Sequence, residues 1–428
     1  MKSDPYWWED AGRPAGPEAG DLPAEVDVVI IGAGLTGLTA ARTLARGGKA
    51  VLVLDAMQPG EGASSRNGGM IGGGHRLAFE TMRARFGHDT ALGLLREAHL
   101  DSGVFVKSLI ADENIDCDYV ETGRFRGLWR DSEYEKAARD LDRLQQLIPL
   151  EAEMLPRARQ HEEVATELYR GGTVFPRHGG LNPAKWVAGI KNAALAAGAR
   201  LQGQTPVTAV VRDGNAFRIT TPRGSLRAGE VLAATNGYTP AQLPPLKRRI
   251  VPIPSFIVTT EPLGKARIDE LFPRGRMIVE SRDRHCYYRP SPDGERIVFG
   301  ARAALFDAPE GLVQRQMRGL IQQVFPQLDR LEFSHSWRGF TGFSFDFLPN
   351  VGKIDGIWHA MGYSGSGNAM APWLGHKVAL QILGDPEGET AFSSTGFPLR
   401  WWHRGRPWFL PFADLSFRLR DAWNHMSR

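Results

Sequence analysis

Cysteine is nearly missing from this chain. Cys117 and Cys286 are the only two in 428 residues, and they lie far apart with no CxxC. That argues against a disulfide framework or a cysteine-built zinc site and fits a reducing cytoplasm, so no metal is expected. Long apolar runs are missing too. None approaches the ~20 residues a membrane span needs, and the start, MKSDPYWWEDAGRPAGPEAG, has no apolar segment of the signal-peptide kind. A dense Lys/Arg block is also absent. The 52 basic and 48 acidic residues leave a net charge of +4, so nucleic acid is not an expected partner, although an anionic small molecule is compatible.

The length accommodates two domains. Residues 24–54 hold the clearest pattern. VDVVIIG is apolar on consecutive positions, as in a strand buried on both faces. LTGLTAARTLARGG has helical spacing and ends in glycine, and KAVLVLD is a second buried strand. Between the first strand and the helix stands a G-x-G-x-x-G. Gly32 permits the tight turn, Gly34 lets a pyrophosphate approach the backbone, and Gly37 lets the helix pack on the strand. Phosphates then sit at a helix N-terminus. Asp55 ends the second strand, where a carboxylate accepts from ribose hydroxyls. A dinucleotide is therefore expected, with NAD and FAD both open at this stage.

The stretch GEGASSRNGGMIGGGHR, Gly60 to Arg76, bears on that choice. Seven of its seventeen residues are glycine, so it is not a helix or strand interior. A rigid tricyclic flavin needs such a side-chain-free backbone, and a nicotinamide does not. Ser64 and Ser65 are expected at the pyrophosphate. The backbone N–H groups of Asn67, Gly68, Gly69 and Met70 are expected to face flavin N5 and O4, with Arg66 in the same loop. A third turn, Gly362-Tyr363-Ser364-Gly365-Ser366-Gly367-Asn368, again joins strand to helix and aims a helix N-terminus at the ring.

The rest of the chain reads as follows. Residues 77–113 are mainly helical, 119–130 a hairpin and 131–147 a helix. Asn182 caps a helix beginning at Pro183. Hairpin turns fall at Asp213-Gly214 and Arg223-Gly224, and EVLAATNGY is a buried strand leading into a loop whose Asn236 is an expected cofactor contact. From Pro240 the composition becomes proline-rich and β-leaning, and CYYRPSPDGERIVFGA is a hairpin. The tail, RWWHRGRPWFLPFADLSFRLRDAWNHMSR, is aromatic and basic. It is read as packing on the body, with a membrane surface as the other reading.

Together VVIIGAGLTGLTAARTLA, VLVLDA, GASSRNGG, GGLNPAKW, EVLAATNGY, and WRGFTGFSFDFLPNVG with GYSGSGNAMAPWLG resemble the D-amino-acid oxidase-like flavoenzymes, with glycine oxidase and sarcosine oxidase. Within them the closest resemblance is to the γ-glutamylputrescine oxidase branch. The resemblance implies an α/β FAD-binding domain of the glutathione-reductase type and an α+β substrate domain with an antiparallel sheet. Segments 24–95, 150–240 and 350–390 are assigned to the first, and 96–149 and 241–349 to the second. Residues 1–23 form an arm and 391–428 a tail. It implies FAD contacts at Leu35, Thr36, Asp55, Ala56, Ser64, Asn67, Gly68, Gly69 and Met70. Val207 falls at the adenine, and Gly365, Ser366 and Gly367 at the ring.

The implied reaction is oxidation of an amine or amino-acid C–N bond by hydride transfer to FAD, giving an imine that hydrolyses. Oxygen is the expected acceptor. The rival readings are a dehydrogenase that passes electrons to a quinone or partner protein, and a NADPH-dependent flavin hydroxylase. SWRGFTGFSFDFLP lacks the flavin-linking cysteine of sarcosine oxidases, which implies noncovalent FAD. Phe340 or Thr341 falls near the place where glycine oxidase has a carboxylate-binding arginine, with Arg338 a little earlier. RIVFGA offers valine or isoleucine where sarcosine oxidases use a lysine near the oxygen site. The candidate catalytic residues are His75 as a base, Arg76 as a carboxylate anchor, and Tyr288 and Tyr363 as substrate walls.

Overall fold

The computed structural model describes residues 1–18, 20–282 and 285–426. At the centre of a first, eight-stranded sheet lies Glu25–Ile31, parallel to Val51–Leu54 on one side and Gly224–Ala233 on the other. The consecutive apolar residues of that strand divide between two cores. Val28 and Ile30 join the helices Leu35–Arg46, Pro183–Ala196 and Gly367–Leu383. Val29 and Ile31 join the antiparallel strands Ala209–Asp213 and Ala216–Thr221. Burial on both faces is why no polar residue interrupts VVII. The two expected hairpins at Asp213-Gly214 and Arg223-Gly224 form as antiparallel pairs. Asn182 caps its helix by accepting from the N–H groups of Ala184 at 3.0 Å and Lys185 at 3.3 Å.

A second sheet runs in the order Phe333–Phe343, Val251–Thr260, Ile297–Ala301, Tyr287–Pro290, Met277–Glu280, Arg124–Gly127, Gly171–Phe175 and Glu153–Pro156. Its two faces differ. One buries Phe125, Ile278, Tyr288 and Phe299 beneath the helices Lys265–Leu271 and Glu310–Val324. The other carries an in-register row of Trp337, Ile257, Gly300, Tyr287, Val279 and Arg126. Side chains alternate along each strand, so this row turns away from the helical layer. The ring of Tyr287 lies 2.7 Å from where a Cβ on Gly68 would stand, so the row faces the second glycine loop.

Four elements depart from the sequence reading. The segment 119–130 is no hairpin. It supplies one strand, Arg124–Gly127, whose partners Met277–Glu280 and Gly171–Phe175 come from far along the chain. Strands Glu153–Pro156 and Gly171–Phe175, expected with the FAD-binding segments, pair in the second sheet because Leu155 and Val174 share its core. Conversely, the helix Ser102–Asp112, expected with the substrate domain, buries Val106 and Leu109 in the core beneath the first sheet.

The arm is docked. Lys2 pairs with the strand Phe333–Phe343, accepting from Ser336 N at 3.0 Å and donating to Ser334 O at 2.8 Å. Trp7 and Trp8 are buried with Ala184, Ile257, Val298 and Trp337. Gly16 N then donates to Gln58 Oε1 at 3.1 Å, and Gln202 Nε2 to Gly20 O at 3.0 Å. Of the tail 391–428, residues 427 and 428 lie outside the described residues. Its helix Leu410–Met426 packs Leu410 and Ala413 beside Val251 and Phe343, and turns Phe412, Leu415 and Leu419 to solvent. Among the described residues no helix is long and apolar enough to cross a membrane, and no group of three or more His, Cys, Asp or Glu is placed to hold a metal ion.

Candidate active site

The first glycine turn is built by close approach. Gly32 has φ +106°, and a Cβ there would stand 2.8 Å from Ala234 O. A Cβ on Gly37 would stand 1.9 Å from Gly32 O, and one on Gly34 2.8 Å from Ser64 Oγ. The helix Leu35–Arg46 starts at Gly34 with no side chain capping it. Its first N–H, from Leu35, donates to Ser64 Oγ at 3.1 Å. An uncapped helix start beside a hydroxyl suits a pyrophosphate. Asp55 accepts from Ala33 N at 2.6 Å through Oδ2 and from Met57 N at 2.8 Å through Oδ1. Burial raises its pKa, and those two N–H groups oppose the rise. Each oxygen keeps a lone pair for a ribose hydroxyl. Ala56 follows Asp55. Val207 is buried near the same strand end, where Thr205 N donates to Asp55 O at 2.7 Å. These residues fit the adenosine diphosphate half of FAD. Asp55→Ala is expected to weaken FAD binding at least tenfold, since a charged acceptor is worth about 1.5–3 kcal/mol. Titration of apoprotein by flavin fluorescence reads the change.

The second loop is held from three sides. Asn67 Nδ2 donates to Ala63 O at 3.1 Å and Ser64 O at 2.9 Å, while its Oδ1 accepts from Gly69 N and Asn368 Nδ2, both at 2.8 Å. Asn368 Nδ2 also reaches Met70 O at 3.1 Å, clamping the second loop to the third. Gly69 has φ +66°, with Leu181 O 2.2 Å from a Cβ position. Arg289 Nη1 donates to Gly69 O at 2.8 Å. Three members of the loop therefore turn elsewhere than the sequence suggested. Gly69 N is engaged by Asn67. Ser65 Oγ accepts from Trp8 Nε1 at 3.1 Å, leaving Ser64 at the helix start. Arg66 lies with its Cζ 4.7 Å from the Trp8 ring centroid, and its carbonyl accepts from Trp337 Nε1 at 2.8 Å.

The third turn is strained, with φ +88° at Gly362, +52° at Ser364 and +109° at Gly365. Asn236, itself at φ +40°, accepts from Gly362 N at 3.0 Å and fixes this turn to the loop after Gly224–Ala233. The helix Gly367–Leu383 starts at Ser366 without a side-chain cap.

The four catalytic candidates separate. Gly74, His75, Arg76, Tyr363, Ser364 and Ser366 line one small cavity. His75 Nε2 donates to Leu94 O at 2.7 Å, and burial lowers its pKa, so the ring is neutral with Nδ1 as acceptor. Arg76 Nε donates to Ser364 O at 3.3 Å, and its guanidinium lies 5.5 Å from the Phe343 ring centroid. Tyr363 Oη is within 2.7 Å of Thr36 Oγ1 and donates to Ala360 O at 2.9 Å. It pins the third turn to the first helix, and burial raises its pKa.

Tyr288 is elsewhere. Its hydroxyl meets Tyr169 Oη at 2.7 Å, and its ring stacks on Phe299 at 5.2 Å, in the core of the second sheet. The tyrosine on the loop-facing row is Tyr287, whose Oη lies 3.0 Å from Ser255 Oγ. The available signal was across the hairpin. Tyr287 pairs with Gly300 in RIVFGA, a glycine that leaves room for a ring.

Comparison with known proteins bears on the family and the fold. The family DAO, described as FAD dependent oxidoreductase, matches residues 27–381. Gamma-glutamylputrescine oxidoreductase of Escherichia coli (strain K12) is 28% identical over 405 residues, covering 92% of this chain and 92% of that protein. The crystal structure of glycine oxidase from Geobacillus kaustophilus has 23% identity and a TM-score of 0.71, covering 89% of this chain and 99% of that one. L-proline dehydrogenase from P. horikoshii has 22% identity and a TM-score of 0.70, covering 89% of this chain and 100% of that one.

Proposed function

The chain belongs to the DAO family of FAD dependent oxidoreductases, and from that premise we propose that it oxidises the C–N bond of a small amine or amino acid to an imine, which water then hydrolyses. FAD, when bound, supplies the acceptor for the hydride leaving the carbon beside nitrogen. The observation that carries the reading is the meeting of His75, Arg76 and the uncapped helix start at Ser366 in one cavity. Arg76 orients a substrate carboxylate. His75, neutral and held at Nε2, takes the amine proton at Nδ1. The helix start offers free N–H groups and the positive end of its dipole to developing negative charge. The rings of Tyr287 and Phe343 exclude water. An anaerobic panel of amines, amino acids and N-methylated acids tests this reading. At least one member should bleach the bound flavin's visible absorbance, and no bleaching by any member overturns it.

The pH profile follows from His75. Burial places its pKa below the ordinary 6.5, so the imidazole stays a base to lower pH, and the rate of flavin reduction falls only as pH drops through that lowered value. The acid limb of kcat/KM should lie below 6.5 and disappear in His75→Gln. A limb unchanged in the variant removes His75 from this role.

The second sheet bears on the electron acceptor. The loop-facing positions of Ile297–Ala301 are Val298 and Gly300, with Val298 buried against Trp7 and Trp337. No lysine stands where sarcosine oxidases place theirs. That favours a quinone or partner protein as a second reading beside oxygen. Stopped-flow reoxidation in air decides, and rapid peroxide release excludes the dehydrogenase.

The FAD is noncovalent on this reading. Both cysteines are buried, and burial pushes the Cys117 thiol up to about 12. Acid precipitation should leave all yellow colour in the supernatant, and a yellow pellet would show a covalent link.

A further inference from the structure

The C-terminal helix has two apolar faces, and the protein covers one of them. At about 3.6 residues per turn, Leu410, Ala413 and Phe417 fall on one side of Leu410–Met426. They pack with Phe409 beside Val251, Leu305 and Phe343. Asp414 lies on the same side, where its carboxylate accepts from Leu305 N at 3.1 Å. Phe412, Leu415 and Leu419 fall on the opposite side, and Trp408 precedes them at the same spacing. With Trp401 these side chains are between 57% and 84% exposed. Pro411 does not interrupt the helix, because it stands in the first turn, where a missing N–H costs no intrahelical bond.

A helix apolar on both sides is ordinarily buried on both. Large side chains turned to water together differ from the scattered singles of an ordinary surface. The family match ends at residue 381, so the shared fold makes no demand for them. Charge says what covers this outer face. From Phe397 to Arg420 the sequence has five arginines and one acid, Asp414, and that acid is turned inward. Arg400, Arg404 and Arg406 are exposed. Lys247, Arg248 and Arg249 adjoin them. A Cβ on Gly405 would stand 2.7 Å from Lys247 Cγ, and Arg249 Nε donates to Phe397 O at 3.0 Å. None of these six cations has an ion pair with a carboxylate among the described residues. A second copy of this chain would set the same cations against themselves, because a twofold contact joins like patches. A surface of anionic lipid headgroups answers both features. It pairs with the cations, and its acyl boundary takes Phe and Leu while Trp rings settle at headgroup level.

We propose that the outer face of Leu410–Met426, with Trp401 and Trp408, docks the protein on an anionic membrane surface, lying in the interface without crossing it. The docked element adjoins the candidate site. Phe343 belongs to the cluster that seats the helix, and its ring centroid lies 5.5 Å from the Arg76 guanidinium. Phe347, partly exposed, meets Phe343 edge to face at 6.2 Å and lines the same cavity as Arg76. Docking therefore holds that cavity near the bilayer. It does not depend on the amine-oxidation reading, and its test reads neither flavin nor turnover.

Flotation of the full-length, FAD-loaded protein tests this, with vesicles of phosphatidylcholine alone or of equal parts phosphatidylcholine and phosphatidylglycerol. Binding to the anionic vesicles should be at least about tenfold tighter than to the neutral ones and should weaken as salt is raised. Arg404→Gln with Arg406→Gln should weaken it about 10- to 30-fold, the effect of two cations at a charged surface. Phe412→Ser with Leu415→Ser should weaken it at least about tenfold, through lost apolar insertion. All four positions are exposed, so thermal melts of both variants should match the wild type. Equal binding to both kinds of vesicle, no binding to either, or anionic binding untouched by either pair of substitutions each overturns the proposal. So does a dimer in lipid-free solution that Phe412→Ser with Leu415→Ser dissociates, which would assign the face to a second copy of the chain.

Discussion

Gly37→Ala is expected to yield colourless protein that does not take up FAD. The added methyl carbon would stand 1.9 Å from Gly32 O and 3.1 Å from Ile30 Cγ2. Neither neighbour has room to move. Ile30 is fully buried in the central strand. Gly32 is held at φ +106°, with Ala234 O only 2.8 Å from its own Cβ position. Relief requires the helix Leu35–Arg46 to lift from the strand, and that opens the pyrophosphate site at the helix start. The cost belongs with the rare large effects, above about 4 kcal/mol. Absorbance at the flavin's visible maximum after gel filtration, together with a thermal melt, reads both consequences. Gly319→Ala is the control. It sits inside the helix Glu310–Val324 with nothing within 4 Å of its Cβ position, so it should stabilise by up to about 1 kcal/mol. Normal flavin content in Gly37→Ala would mean that helix and strand do not pack as described.

The same pair of glycines shows why this part of the fold was legible in the sequence. A βαβ unit with a nucleotide turn is a local object. Strand, turn, helix and acid fall within the 31 residues from Glu25 to Asp55, and each demand is met by a residue type that serves little else there. The helix cap at Asn182 was legible for the same reason. The second sheet was not, because its pairings are long-range. Arg124–Gly127 finds Met277–Glu280 about 150 residues away, and nothing local announces the partner. A one-residue parity decided the candidate site. Tyr287 and Tyr288 have equal local claims, and only the sheet's choice of which row faces the helices Lys265–Leu271 and Glu310–Val324 sends Tyr288 into the core. The arm was half legible. Two adjacent tryptophans argued for docking, but not that they would close on the second glycine loop.

That docking carries the other large expected effect. Trp7→Ala should lower stability by about 3–5 kcal/mol, the range for truncating a buried tryptophan, and should weaken FAD binding in the same measurement. Trp7 is 1% exposed, and its Nε1 donates to Asn67 O at 2.8 Å. Asn67 is the residue whose side chain also holds Ala63, Ser64, Gly69 and Asn368 in place. Removing the indole therefore leaves a void beneath the arm and an unpaired carbonyl at the hub of the flavin loop. Trp8, donating to Ser65 Oγ at 3.1 Å, braces the neighbouring residue. Trp7→Phe separates the two contributions. It keeps most of the packing and loses only the hydrogen bond, about 1 kcal/mol. Melts with and without excess FAD decide the matter. The Trp7→Ala deficit should widen as FAD is raised and then level off, because the ligand stabilises the tighter-binding wild type more than the variant. A Trp7→Ala protein that melts with the wild type and binds FAD equally well would make the arm a passenger and break the link drawn here between the N-terminus and the flavin.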